Sequence, residues 1–248
     1  MSITITPMKH LVSVYELLLR TYGEPMNEPD YDPLGGLIGT ILSQHTSDIN
    51  SDRAYKQLVA TFPIWEDVRD APMYLIAETI RSGGLANIKA RRIQDVLLML
   101  TELQQEQGGT KSLSDYFYDE LTKRTSEDAW HFLRSMPGVG PKTAACVLMF
   151  NLNRPVMPID THVYRTSHRL GLIGPKVTVE QAHTLFAKIT PPEWVYPLHV
   201  NLIRHGRQIC HAQRPECAKC PLYSECAYVG SVNPQETAIS GSSTIGES

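Results

Sequence analysis

The sequence predicts an all-α fold, on three observations. Apolar residues recur at i, i+3, i+4 and i+7 along much of the chain, the spacing that gathers them on one face of a helix. No stretch sustains the period-2 alternation of a half-buried strand. Proline and glycine break the helical pattern at 25–33, 83–84, 108–109, 137–140, 171–175 and 191–192, dividing the 248 residues into roughly ten short helices.

Each predicted helix has its own stripe. Leu34, Leu37, Ile38, Ile41 and Leu42 form the first, and Ala54, Tyr55, Leu58, Val59 and Phe62 repeat it. Ile93, Val96, Leu97, Leu100 and Leu103 outline a long helix. Ser126 to Met136 reads as another, with Ser126 as its N-cap and acids in its first turn. Val179, Ala182, His183, Phe186 and Ile189 mark a late one. Residues 229–248 are rich in Ser, Gly, Thr and Glu and poor in large apolar groups. They cannot bury enough surface to offset their ordering entropy and are expected to be a disordered tail.

Composition narrows the class. Hydrophobic residues make up 42% of the chain, a globular value. No apolar run reaches the roughly 18 residues of a membrane span, and Met1 to Lys9 lacks a signal-peptide pattern. A soluble, cytoplasmic monomer with no membrane partner is expected. The net charge of −3 gives no general pull toward nucleic acid, yet binding needs only a local basic face. Ile80 to Gln94 carries Arg81, Lys89, Arg91 and Arg92 without an acid; Ile203 to Leu222 carries Arg204, Arg207, Arg214 and Lys219 against Glu216 alone. Either window can be a solvated face or a phosphate-binding one.

Between two predicted helices lies Pro137-Gly138-Val139-Gly140-Pro141-Lys142-Thr143. The glycines permit positive φ and leave the backbone uncovered, and Pro141 suits the first turn of the next helix. The amides of Val139 and Gly140 with that helix start can cradle a phosphate, a contact that positions DNA without reading its sequence. A plain helix–helix turn would look the same, but Lys142 puts an amine where a phosphate backbone would pass. Ser82 to Ala90 carries a weaker copy of the pattern. Asp160, after an apolar approach and before a helical stretch, is either a helix cap or a catalytic carboxylate, and one residue can serve as both.

Four of the five cysteines fall within 17 residues, as Cys210-x6-Cys217-x2-Cys220-x5-Cys226. Thiolates at this spacing can enclose one metal centre, zinc or iron–sulfur. Zinc ribbons more often show two C-x2-C pairs, and here there is one. Cys146, in an apolar helix, reads as a buried small residue.

On these residues the chain resembles endonuclease III and its relatives in the helix-hairpin-helix-GPD superfamily of DNA glycosylases. The hairpin Met136 to Ala144 looks like the family's, with Lys142 at its Schiff-base lysine. Pro158 to Val163 looks like the segment bearing its catalytic aspartate, at Asp160. The four cysteines have the spacing of its [4Fe–4S] loop, and His205-Gly206-Arg207 before them matches too. The match covers roughly residues 30 to 228. It implies two helical domains with DNA in the cleft between them. One is a six-helix barrel holding the hairpin, residues 34–153. The other joins 1–33 to 154–228 and holds the cluster.

The resemblance also implies a chemistry. The partner is duplex DNA with a damaged base or abasic site, and the base must leave the stack to be reached. Lys142 attacks the sugar as the base departs, which needs a neutral amine although free lysine titrates near ~10.4. Asp160 assists deprotonation and stabilises the cationic sugar. Gly138, Val139, Gly140 and Thr143 hold the backbone. By position His45 stands where the family usually has the glutamine that fills the gap left by the flipped base, and Gln44 is one residue earlier; both are candidates. Leu85 is a candidate second wedge. Pro141 replaces the usual basic residue, and the stretch Gly108 to Glu127 is longer than in the common bacterial enzyme. The expected activity is base excision with associated AP-lyase cleavage, on oxidised pyrimidines. A monofunctional mismatch or uracil glycosylase and a non-catalytic cluster-bearing DNA-binding protein remain alternatives, disfavoured by Lys142 and by the pair Lys142 and Asp160 respectively.

Overall fold

A computed structural model of the chain describes residues 7–232. Among them there are thirteen α-helices, short 3-10 and π segments and no strand, in keeping with the periodicity. Among the described residues no helix is long and apolar enough to cross a membrane. Backbone packing divides the chain into two units, 27–158 and 1–26 with 159–248.

The 27–158 unit holds α2 (Pro33–Ser43), α3 (Asp48–Thr61), α4 (Trp65–Asp70), α5 (Met73–Thr79), α6 (Ala86–Glu106), α7 (Leu113–Thr122), α8 (Ser126–Arg134) and α9 (Pro141–Cys146), which continues into a π turn over Val147–Asn151. The predicted stripes become its core: Leu34, Leu37, Ile38, Ile41 and Leu42 of α2 are fully buried against Ile93, Val96, Leu97 and Leu100 of α6 and Leu133 and Leu148 nearer the hairpin. The unit begins before Leu34 because the preceding segment is tied to the π turn. Tyr31 N–H donates to the Asn151 carbonyl at 3.2 Å, and the Asn151 amide donates to Asp30 at 2.8 Å. Asp32 then caps α2 by accepting from Gly35 N–H at 3.0 Å.

Three expectations are corrected here. Thr125, not Ser126, caps α8, its Oγ1 accepting from Asp128 N–H at 3.1 Å; both residues are good caps, and the chain starts the helix one residue earlier. Val179 is exposed, since α11 needs only Ala182, His183 and Phe186 for its buried face. The expected tail starts too early: residues 229–232 belong to α13 (Ala227–Val232), where Val229 is buried and Arg169 lies 5.0 Å over the Tyr228 ring. The rest of that tail, 233–248, lies outside the described residues, as do residues 1–6.

Lys89 departs most from the sequence reading. In place of a basic surface it is 1% exposed, and its Nζ donates to the carbonyls of Leu42 and Gly83, each at 2.7 Å. Burial, reinforced by the neighbouring Arg92 charge, holds its amine below the ordinary lysine range. The ammonium satisfies two carbonyls that face no water, joining the end of α2 to the turn before α6. Lys89→Met is therefore expected to lower stability by about 2–4 kcal/mol, the cost of stranding buried polar groups. Denaturant unfolding at constant m-value measures it; an unchanged midpoint would mean the two bonds add nothing.

The other unit contains α1 (Pro7–Tyr22), α10 (Thr161–Leu170), α11 (Val179–Ile189), α12 (Val195–Gln208) and α13. Leu11, Val14 and Leu18 bury one face of α1, and Tyr15 stacks on Trp194 with ring centroids 4.2 Å apart. Thr178 and Gln181 close a reciprocal capping box at the start of α11.

Candidate functional site

The hairpin is built by α8, a turn and α9. Gly138 takes φ +72°, which a side chain would strain, and a Cβ there would sit 2.8 Å from Arg92 Cδ. Val139 is buried and its N–H donates to the Met136 carbonyl at 3.2 Å, so that amide closes the turn and is not a free phosphate donor. Gly140 is the N-cap of α9 and brings no side-chain cap, while Pro141 occupies the first turn. The open donors are therefore those of the helix start, Gly140 onward. Trp130 Nε1 donates to the Pro141 carbonyl at 3.2 Å and fixes the turn from α8. Lys142 is exposed at the second position of α9. Thr143 points inward and is buried, which leaves its backbone amide as the only group it can offer outward.

Two further turns of the same unit carry the expected wedge residues. After α2, Gln44 is half-buried and receives a 2.8 Å bond from Arg92 Nη1. His45 is exposed at φ +53°. Before α6, Leu85 is 51% exposed at φ +49°. Non-glycine residues at positive φ are uncommon, and a large apolar one held outward there is a functional hint. Lys89 ties these two turns together through the Leu42 and Gly83 carbonyls. Neither Lys89 nor Arg92 was assigned a contact from the sequence. Their i, i+3 spacing on α6, which puts both on one face, was the available signal.

In the other unit, Asp160 caps α10. Its Oδ1 accepts from Val163 N–H at 2.7 Å, and its backbone is extended at φ −91°, ψ −179°. The carboxylate is half-buried and fixed in orientation by that bond.

The four cysteines line one pocket together with Arg169, His205, Pro215, Tyr228 and Val229. Arg169 Nη1 donates toward Cys210 Sγ at 3.4 Å and to the His211 carbonyl at 2.6 Å. His205 Nε2 lies 3.6 Å from Cys220 Sγ, and its Nδ1 is 3.0 Å from Tyr22 OH. Burial pushes His205 down to about 4, so the ring is neutral near pH 7 and carries one N–H. Burial pushes the Cys220 thiol up to about 11, with the neighbouring cysteines adding to the rise, and raises Cys226 as well. Four thiolates here need a cationic partner. Among the described residues no three His, Cys, Asp or Glu side chains are placed to hold a single metal ion. A tetrahedral zinc with bonds of ~2.3 Å would draw its sulfurs to about 3.8 Å from one another. Four cysteines lining one pocket supply the ligand number of a multi-iron cluster, in which each cysteine holds its own iron. Cys146 is buried in α9, away from this group in sequence and in the other unit.

The family model described as HhH-GPD superfamily base excision DNA repair protein matches residues 38–192. An Arabidopsis thaliana protein named as a DNA glycosylase is 36% identical over 197 residues, 79% of this chain and 64% of that protein. Endonuclease III of Thermotoga maritima is 32% identical over 204 residues, 82% of this chain and 87% of that protein. Among solved structures, a trapped endonuclease III–DNA covalent intermediate superposes with a TM-score of 0.72 at 28% identity, over 90% of this chain and 97% of that one.

Proposed function

Because the chain belongs to the HhH-GPD superfamily of base excision DNA repair proteins and is a DNA glycosylase of the endonuclease III type, we propose that Lys142 and Asp160 are its catalytic pair, acting on oxidised pyrimidines in duplex DNA. The observation that carries this is Lys142: an exposed amine in the first turn of α9, beside open backbone donors suited to a DNA phosphate.

The chemistry follows from a flipped nucleotide. Lys142 Nζ, as the neutral amine, bonds to the sugar C1′ while the C1′–N bond to the damaged base breaks; the electron pair of that bond leaves with the base, which takes a proton from water. The Asp160 carboxylate accepts the amine proton and opposes the positive charge growing on the sugar. The ring opens to a Schiff base. Loss of a C2′ proton then expels the 3′ phosphate, which is the AP-lyase cut, and water releases Lys142. Exposed His45 and Leu85 are the groups proposed to occupy the space the flipped base leaves.

A [4Fe–4S] cluster is the proposed occupant of the cysteine pocket. When bound it supplies an anionic sulfur-rich anchor that orders the 210–226 loop. Cys210, Cys217, Cys220 and Cys226 would hold it, with Arg169 and His205 donating toward the sulfurs. Iron and acid-labile sulfide in a ~1:1 ratio, about four of each per chain, are expected on purification. One zinc per chain with no iron would refute it.

The catalytic reading is tested by adding borohydride to the protein and an abasic-site duplex. Reduction of the Schiff base should leave a covalent protein–DNA adduct. No adduct with the abasic-site duplex, together with base release from a duplex that carries an oxidised pyrimidine, would make the protein a hydrolytic glycosylase.

A further inference from the structure

We infer that Arg92 is a positioning residue of the DNA-facing surface: it commits Gln44 to the protein and thereby leaves His45 as the side chain that the turn after α2 presents to the base opposite the lesion. This rests on the reading above that the turn faces DNA.

The observations lie on one face of α6. Arg92 Nη1 donates to Gln44 Oε1 at 2.8 Å. Its side chain then crosses the hairpin so closely that Cδ and Nε stand 2.8 and 3.1 Å from where a Cβ on Gly138 would be. One turn earlier Lys89 holds the carbonyls of Leu42 and Gly83. Two cations of one helix thus bond the turns 42–45 and 83–85, and the Arg92 stem lies close against a third at Gly138. A guanidinium suits the central place, because its planar donors can serve a side-chain carbonyl while its stem packs flat on a glycine.

The consequence for the neighbouring residues is steric and electrostatic. Gln44 cannot swing outward without breaking a charge-assisted bond. His45 is exposed, has no hydrogen-bond partner among the described residues, and has a left-handed backbone that turns it away from the chain direction of α2. A glutamine amide offers a donor and an acceptor together on one group. An imidazole places its two nitrogens on opposite sides of a ring. Presenting His45 rather than Gln44 therefore changes which opposite base is favoured.

The experiment uses four abasic-site duplexes, with A, G, C or T opposite the site. Binding and single-turnover cleavage are measured for the parent, Arg92→Met, Gln44→Ala, the double variant and His45→Ala, with thermal unfolding as a check on folding. Arg92→Met, which frees Gln44 to compete with His45, is expected to shift the ratios among the four duplexes by about tenfold, the change that ~1.4 kcal/mol produces, whereas Gln44→Ala, which leaves His45 alone at the turn, should keep the parent ratios. The double variant, with no Gln44 side chain to release, should return to the parent ratios, the non-additivity of two members of one interaction. Arg92→Lys, which keeps the charge and loses the fork, should restore only part of the parent pattern. Additive losses, or a uniform drop across all four duplexes with a salt slope smaller by about one phosphate contact, would overturn the inference and make Arg92 a phosphate ligand. If His45→Ala behaves as the parent on every duplex, the DNA-facing assignment of the turn fails, and the inference falls with it.

Discussion

Lys142→Gln is expected to eliminate the borohydride-trapped adduct and to slow strand cleavage at an abasic site by at least about 10³-fold, close to 4 kcal/mol of transition-state stabilisation. Glutamine is polar and only one bond shorter than lysine but has no basic lone pair, so it cannot form the Schiff base. Folding should be untouched. Lys142 is exposed at the second position of α9, it takes no hydrogen bond among the described residues, and exposed helix positions tolerate such changes within about 0.5 kcal/mol. DNA affinity should fall only modestly, because the hairpin offers the backbone donors from Gly140 onward whatever side chain follows. The informative result is thus a split: adduct lost, binding largely kept, unfolding midpoint unchanged. An adduct formed by Lys142→Gln at the parent rate would move the nucleophile to another amine and leave Lys142 as a phosphate contact.

The fold was legible where one physical effect dominated. The α2 stripe from Leu34 to Leu42 is apolar enough that only a fully buried helix accommodates it, and it is fully buried. Asp160 before a helical stretch read as a cap, and it caps. The site was legible where local chemistry sets the geometry, as in the 138–140 turn, whose glycines permit positive φ and where Gly138 adopts it. What escaped depended on partners distant in sequence. Lys89 looks like any surface lysine in a basic window. Its burial comes from two carbonyls, one of them 47 positions away at Leu42, that no local pattern announces. Arg92 reaches Gln44 across 48 positions for the same reason. The Val139 amide was expected to be open to a phosphate, but the turn spends it on Met136, since a tight hairpin must satisfy its own inner donors first. Tyr228 and Val229 precede a polar stretch, and their share of the cysteine pocket depends on Arg169, nearly 60 residues earlier by the numbering.

Asp160→Asn separates the two roles the aspartate combines. Asparagine is as good an N-cap as aspartate, so its side-chain oxygen can keep the bond from Val163 N–H and α10 should start where it does now. What disappears is the negative charge. If the carboxylate accepts the Lys142 proton and opposes charge on the sugar, single-turnover base release should fall by about 10²–10³-fold, within the range for a positioned acid–base group. The unfolding midpoint should stay the same. Duplex affinity should hold or rise, because removing a carboxylate from a surface that meets phosphates reduces repulsion. Asp160→Ala makes the complementary measurement: it loses charge and cap together, and should show the same chemical defect with an added stability loss of about 1 kcal/mol. A catalytic carboxylate therefore predicts equal rate losses in the two variants and a stability difference between them. A purely structural one predicts the reverse, with Asn close to the parent in rate and Ala impaired in proportion to its loss of folding.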